Sequence, residues 1–191
     1  MIAYSNNFKK ENDHSQIEAP RVFLIGDHHF GHKGIIEMCR RPFANLGRMN
    51  RFMIRRWNET VCEDDLVYYL GDMAYGRKAG AASTWKKKLN GQIIHITGNH
   101  DKPGDGVPYL FVTWKDLEFL LIHDPNRQNL PLGWDGWIIH GHKHNNDLAN
   151  YPFINCKNKT VNVSAEVIDF KPVSFEQVYA IIQMELSSFL R

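Results

Sequence analysis

The chain of 191 residues contains few cysteines and no long hydrophobic run. Its three cysteines, Cys39, Cys62 and Cys156, are an odd number at wide spacings, which argues against both a disulfide framework and a zinc ribbon. No stretch approaches the ~18 consecutive apolar residues that span a bilayer, and residues 1–20 lack the apolar centre of a signal peptide. We therefore expect a cytoplasmic protein.

The sequence also lacks a strong imbalance of charge, because 23 basic and 21 acidic residues leave a formal net charge of +2. Nucleic-acid-binding modules usually carry a larger positive excess, so the arginines within residues 48–56 indicate such a module only weakly. The chain length and a hydrophobic fraction of 43% suit one buried core. We expect a flexible polar leader over residues 1–20 and a single domain over residues 21–191.

Histidine, by contrast, is abundant: the chain has ten, and histidine is the commonest side-chain metal ligand. Five times a short apolar run, about as long as a buried strand, ends in residues that can bind metal or form a turn. These residues are Asp27 and His29, then Asp72, then Asn99 and His100, then His123, and finally His142 and His144. The ends of strands that lie side by side converge, so the pattern predicts one metal site.

The order of apolar runs and helical periods predicts an α/β fold. Strands are expected over residues 22–25, 66–70, 93–97, 109–114, 117–122, 136–140 and 160–164. Helices are expected over residues 34–41, 46–61, 79–89 and 174–189. The first half alternates strand and helix and the second is mainly strands with hairpins, which indicates two sheets packed face to face with helices outside.

Each motif alone could be an ordinary turn, but together they suit a catalytic metal centre. The two aspartates supply two negative charges against the four positive charges of two divalent ions, which leaves a surplus to hold hydroxide and a phosphate oxygen. Structural zinc sites usually have four ligands and no open position. Seven mixed oxygen and nitrogen ligands fit a two-metal centre better. The candidate ligands are Asp27, His29, Asp72, Asn99, His123, His142 and His144.

These motifs resemble those of the calcineurin-like metallophosphoesterases. That family carries, in order, Asp-x-His, Gly-Asp, Gly-Asn-His-Asp or Glu, a lone His, and Gly-His-x-His. The chain has Asp27-His28-His29, Gly71-Asp72, Gly98-Asn99-His100-Asp101, His123 and Gly141-His142-Lys143-His144 in the same order. It is also similar to small single-domain bacterial and viral members, in which Phe30-Gly31-His32 and then Arg41-Pro42-Phe43 follow the first motif.

The resemblance implies a four-layer α-β-β-α fold and a division of the ligands between two metals. Asp27, His29 and His144 would bind one ion, Asn99, His123 and His142 the other, and Asp72 would bridge them. A hydroxide between the metals would attack phosphorus. His100 would then protonate the leaving group as general acid, with Asp101 orienting it.

The mixed ligands suit manganese, iron, zinc, nickel or cobalt, and the resemblance favours manganese. We expect a phosphodiesterase acting on nucleotides or nucleic-acid ends, because residues 40–56 are basic. A phosphomonoesterase acting on metabolites or phosphoproteins, and a non-catalytic scaffold on the same fold, are the alternatives. His32 and Arg41 are candidates for binding substrate phosphate, although backbone-satisfied histidine and a solvated basic surface are the ordinary roles of such residues.

Overall fold

The computed structural model describes residues 19–77 and 79–189. The strands are β1 Val22–Ile25, β2 Leu66–Tyr69, β3 Gln92–His95, β4 Tyr109–Trp114, β5 Leu117–Ile122, β6 Trp137–His140, β7 Ile154–Asn155, β8 Thr160–Asn162 and β9 Val173–Ser174. The α-helices are α1 Ile35–Met38, α2 Leu46–Asn58, α3 Ala82–Lys86 and α4 Phe175–Phe189. The expected leader over residues 1–20 falls almost entirely outside the described ranges.

The strands form two sheets whose carboxyl ends meet. The first sheet has the order β3-β2-β1-β9, in which β1, β2 and β3 are parallel. The second has the order β4-β5-β6-β8-β7, in which β5, β6 and β8 are parallel and both edge strands are antiparallel. A parallel bridge between Gly26 and Ser164 joins the ends of β1 and β8. The loops that follow the parallel strands of the two sheets therefore lie next to one another.

Helix α2 covers the outer face of the first sheet through one apolar stripe. Met49, Met53 and Trp57 recur every four residues and are fully buried, as the helical period of the sequence predicts. The helix begins after Asn45, whose side-chain oxygen accepts a hydrogen bond from the Arg48 amide at 3.0 Å. Trp85 of α3 packs in the same cluster, so this face is covered by helices.

The main core lies between the two sheets. Leu24 of β1, Phe119 of β5 and Val161 of β8 are buried there, and α4 adds Phe175 and Val178. Helix α4 starts as expected, because Ser174 and Gln177 exchange hydrogen bonds at 3.0–3.1 Å in a capping box. The expected α/β fold with two sheets flanked by helices is confirmed.

The outer face of the second sheet has a thinner cover. Leu120, Ile122 and Ile138 form a small cluster there with Leu130 and Trp134, which lie in the segment between β5 and β6. That segment contains one 3-10 turn, Arg127–Asn129, and no α-helix. Of the hairpins expected among the predicted strands, the one between β4 and β5 holds, because these strands pair in antiparallel fashion. The pairings of β5 with β6 and of β6 with β8 are parallel, so no hairpin joins those strands.

Two expectations about single elements were wrong. The helix predicted over residues 79–89 spans only Ala82–Lys86, because Gly80 takes a positive φ of 78° and the Ala79 carbonyl accepts from the Trp85 indole at 2.8 Å. The strands β7 and β9 were not predicted, since two residues are too few to show a period. Among the described residues, no helix is long and apolar enough to cross a membrane.

The inter-sheet core should dominate stability. Leu24 is fully buried, so Leu24→Ala should lower the free energy of unfolding by about 2–5 kcal/mol. Leu148 is 49% exposed, and Leu148→Ala should change the free energy of unfolding by less than about 0.5 kcal/mol. Denaturant unfolding of both variants measures the difference, and equal losses would contradict this assignment of the core.

Candidate metal centre

The seven predicted ligands lie together where the parallel strands end. Each of the loops after β1, β2, β3, β5 and β6 contributes one or two of them. The residues are Asp27 and His29, Asp72, Asn99, His123, and His142 and His144, in the order of those strands. The prediction that strand ends would bring them together thus agrees with the structure.

Asp27, His29 and His144 form one group of potential ligands, with one ligand atom from each lying within 4.8 Å of the others. The rings of His29 and His144 are 5.1 Å apart between centroids. Both ring nitrogens of His29 are buried and make no hydrogen bond of good geometry with a described residue, although Nε2 faces Asp72 Oδ2 at 3.3 Å. A buried imidazole with unused nitrogens is costly unless something binds it, so this group fits a metal ion.

Asn99, His123 and His142 form a second group. The Asn99 side-chain oxygen lies 3.0 Å from His123 Nε2 and 2.9 Å from His142 Nδ1. One amide oxygen and two imidazole nitrogens thus point to a common space. His123 Nδ1 lies 2.6 Å from the Leu70 carbonyl, which suits a proton on Nδ1 and leaves Nε2 for a ligand.

Asp72 lies between the two groups. Its Oδ2 atom is 3.3 Å from His29 Nε2 and 3.5 Å from His123 Nε2, so one carboxylate oxygen faces a histidine of each group. Its Oδ1 atom accepts a hydrogen bond from the His100 amide at 2.9 Å. A carboxylate in this position can contact two cations at once.

The candidate ligands are held in an uncommon backbone conformation. Five of the seven have a positive φ: Asp27 at 59°, His29 at 51°, Asp72 at 58°, His142 at 65° and His144 at 49°. Left-handed conformation is rare for residues other than glycine and tends to occur at functional sites, although aspartate and histidine adopt it more readily than most. This backbone conformation could not be predicted from the sequence beyond what the residue types suggest.

Two motif glycines allow the carboxylates to come close to the backbone. A Cβ atom on Gly98 would collide with the carboxylate of Asp72, and one on Gly141 would collide with that of Asp27. The amide of His142 donates to both oxygens of Asp27, at 3.2 and 3.0 Å. Glycine at positions 98 and 141 is therefore a steric requirement of the site.

Asp101, expected to orient His100, makes its own hydrogen bonds elsewhere. Its buried carboxylate accepts from the amides of Asp72, Met73 and Gly98 at 2.7–3.1 Å. It also lies 2.9 Å from His95 Nε2. Asp101 thus ties the turn after β2 to the turn after β3.

His100 and His32 lie on the open side of the centre. His100 is exposed, and its ring centroid is 5.3 Å from that of His29. His32 is half-buried at 5.5 Å from His29. The ring of Tyr75, a residue that the sequence did not single out, contacts both His100 and His32.

Arg41, expected to bind phosphate, is buried behind the centre. Its guanidinium donates to the carbonyls of Asp27 and His28 at 2.6 and 2.7 Å and to Glu166 at 2.6 Å. The Glu166 carboxylate in turn lies 3.1 Å from His144 Nδ1. Arg41 thereby links the Asp27 loop to the residue that orients His144, and its donors face the protein interior.

The protonation of the centre follows from its two buried aspartates. Burial alone would lower the histidine pKa values, but the carboxylates of Asp27 and Asp72 raise the pKa of His123 to about 9. Burial is likewise outweighed at His144, where Asp27 and Glu166 help to raise the pKa to about 11. Burial opposes ionisation of Asp72 as well, yet His123 and His29 hold its pKa below the usual range. Binding of cations would displace these protons.

A mixed α/β sandwich with carboxylate, amide and imidazole ligands at its strand ends is the architecture expected of a metallophosphoesterase. The chain belongs to the calcineurin-like phosphoesterase family, whose model matches residues 20–177. The resemblance in its motifs is thereby confirmed at the level of the family.

Two relatives and one solved structure extend this comparison. An uncharacterised protein of Methanocaldococcus jannaschii is 45% identical over 164 residues, which are 85% of this chain and 92% of that protein. The Gene 66 protein of Mycobacterium phage L5 is 33% identical over 84 residues, 43% of this chain and 40% of that protein. A crystal structure of an Aquifex aeolicus protein of unknown function has a TM-score of 0.65 at 21% identity, covering 85% of this chain and 100% of that one, and supports the fold.

Glu166 was missed by the sequence analysis, although it follows a predicted strand as the ligands do. Glu166→Ala would leave the Arg41 guanidinium buried without its carboxylate, so the free energy of unfolding should fall by about 3–5 kcal/mol. Loss of the partner of His144 should also weaken metal binding by about 10–100-fold. Denaturant unfolding and metal titration measure the two effects.

Glu59→Ala is the matched control, because that exposed carboxylate pairs with Arg55 at 3.6 Å and should change neither quantity appreciably. Glu166→Gln keeps an oxygen that can accept from His144 Nδ1, so it should bind metal more tightly than the alanine variant. Metal affinity equal to wild type in Glu166→Ala would show that this carboxylate does not position His144.

Proposed function

We propose that the protein is a phosphodiesterase that depends on two divalent metal ions. The observation that carries this proposal is the position of Asp72, one oxygen of which faces His29 at 3.3 Å and His123 at 3.5 Å. A shared carboxylate is the feature that distinguishes a two-metal site from two separate ones. Manganese is the ion that we propose first, with zinc, iron, nickel or cobalt as alternatives.

In this proposal the two groups of ligands have separate duties. Asp27, His29 and His144 would hold one cation and Asn99, His123 and His142 the other, with Asp72 placed to contact both. The chemistry that such a pair supplies is positive charge beside the phosphate and a lowered pKa of water. The protein holds the scissile phosphate in front of this pair, on the side where His100 is exposed.

His100 acts as the general acid. Its backbone is fixed by the hydrogen bond from its amide to Asp72 Oδ1, while its ring stays accessible to substrate. The imidazolium can give a proton to the oxygen that departs from phosphorus. Asp101 acts indirectly, because its carboxylate holds the turns that carry Asp72 and Gly98 in place. Arg41 also acts indirectly, because its guanidinium holds the loop that carries Asp27. We propose that His32 contacts the substrate.

The preference for diesters rests on the basic residues of α2. Arg55 pairs with Glu59 and Arg56 with Asp169, so these two charges are partly compensated. Arg48 is exposed at the start of the helix and forms no ion pair with a described residue. Unpaired positive charge on the protein surface favours a polyanionic substrate such as a nucleic acid, whose nucleosides are joined by phosphodiester bonds.

The direct test is hydrolysis of a nitrophenyl phosphodiester and of the matching monoester by metal-stripped protein, before and after addition of manganese, zinc or nickel. We expect metal-dependent cleavage that is faster for the diester. Faster cleavage of the monoester would favour a phosphatase, and no cleavage with any metal would favour a non-catalytic scaffold.

Removal of the proposed acid should slow turnover without loss of metal. His100→Ala should lower kcat by about 10²–10⁴-fold, and more for a substrate with a poor leaving group, which needs the proton most. Its metal content should equal that of the wild type, because its side chain belongs to neither group of ligands. Unchanged kcat toward an alkyl diester would exclude His100 as the acid.

A further inference from the structure

Tyr75 presents an aromatic ring to solvent beside the candidate metal centre. The residue is 41% exposed. Its amide donates to the Phe30 carbonyl at 3.1 Å, which fixes the backbone next to the first ligand loop. A large exposed ring in such a position contributes little to the core, so its location calls for another account.

The ring belongs to a group of three that we call the aromatic wall: His32, Tyr75 and His100. Ring centroids are 4.7 Å apart between Tyr75 and His32 and 4.1 Å apart between Tyr75 and His100. The planes are inclined by 73° and 53°, so neither imidazole lies flat on the tyrosine ring. Both imidazoles lie within 5.5 Å of His29, measured between centroids, which places the wall directly at the metal ligands.

The tyrosine ring is held by its neighbours but leaves area free for a ligand. The Tyr75 hydroxyl has no hydrogen-bond partner in residues 19–77 and 79–189, so polar tethering does not explain the placement. Nucleobases stack on exposed aromatic side chains of this kind, largely independent of base identity, because every base has a flat π face.

We propose that the aromatic wall binds the base of the nucleoside that leaves during hydrolysis, with Tyr75 as the stacking residue. This inference rests on the proposed phosphodiesterase function. A bond forms between the water oxygen and phosphorus, the bond between phosphorus and the nucleoside oxygen breaks, and that oxygen receives its proton from His100. The proton that the water loses passes to solvent, and His100 regains a proton from solvent. The substrate class is therefore a nucleotide diester with a base on the leaving side.

The leaving side follows from the contact between Tyr75 and His100. An acid that protonates the departing oxygen must come within hydrogen-bond reach of it. The group attached to that oxygen then lies close to whatever contacts His100, and Tyr75 does so at 4.1 Å between centroids. A base on the opposite side of the phosphate would not lie beside Tyr75 and so could not stack on its ring.

The test compares manganese-loaded wild-type protein, Tyr75→Leu and Tyr75→Phe on three DNA dinucleotides, with products separated by chromatography. One dinucleotide carries both bases, and each of the others lacks one base, so that both possible leaving nucleosides are covered. For wild type, loss of the base on the leaving nucleoside, which the separated products identify, should lower kcat/KM by about tenfold, mainly through KM. Tyr75→Leu should abolish most of this preference, and Tyr75→Phe should retain it.

Phe111→Leu is the control, because Phe111 is 55% exposed on the edge strand β4 and is not part of the wall. It should retain the wild-type preference, and the metal content of all variants should agree. Cleavage of all three dinucleotides at equal rates, or a base preference that survives in Tyr75→Leu, would overturn the inference while leaving the proposed function intact. Failure to cleave any diester would instead overturn the proposed function on which it rests.

Discussion

Two carboxylates, those of Asp27 and Asp72, are buried close together at the meeting point of the two sheets. Burial of like charges at short range is unfavourable unless positive charge compensates them. The carboxylates raise the pKa of His123 to about 9 and that of His144 to about 11, which favours the charged form of both imidazoles. Divalent cations would provide more positive charge, so the proposed metal site answers the same electrostatic constraint as these histidines.

The backbone and side chains around these two carboxylates hold them close together. The backbone holds five of the seven candidate ligands at positive φ, and Gly98 and Gly141 leave room for the carboxylates. Two buried side chains support the loops from behind: Arg41 binds the carbonyls after β1, and Asp101 binds the amides after β2 and β3. Strain of this kind persists only where the neighbouring structure fixes it. The neighbouring backbone and side chains therefore hold the candidate ligands in place.

The sequence allowed the convergence of the candidate ligands to be predicted because each follows a recognisable strand. A strand of four or five apolar residues ending in Asp27 or His123 can be read locally, and parallel pairing then brings the ends together. Other parts of the site depend on contacts between distant segments. Arg41 meets Glu166 across 125 positions of the chain, so local sequence could indicate its charge but not its burial.

The position of Tyr75 beside the candidate ligands also could not be predicted from local sequence. The residue follows Ala74, whose bridge to Phe30 brings the loop after β2 beside the loop after β1. Nothing in the local pattern distinguishes it from the neighbouring Tyr68 and Tyr69, of which Tyr69 is fully buried. Its contact with His100 is visible only in three dimensions, and the proposed class of substrate rests on this contact.

The most direct test of the central claim is anomalous diffraction from crystals of the protein soaked in manganese. The account predicts two peaks about 3.5–4 Å apart, both in contact with the Asp72 carboxylate. Cys39, His144 and Glu166 form another group that could hold an ion, with ligand atoms within 4.8 Å of one another. A single peak, or a peak held by that group with none at Asp72, would contradict a two-metal centre.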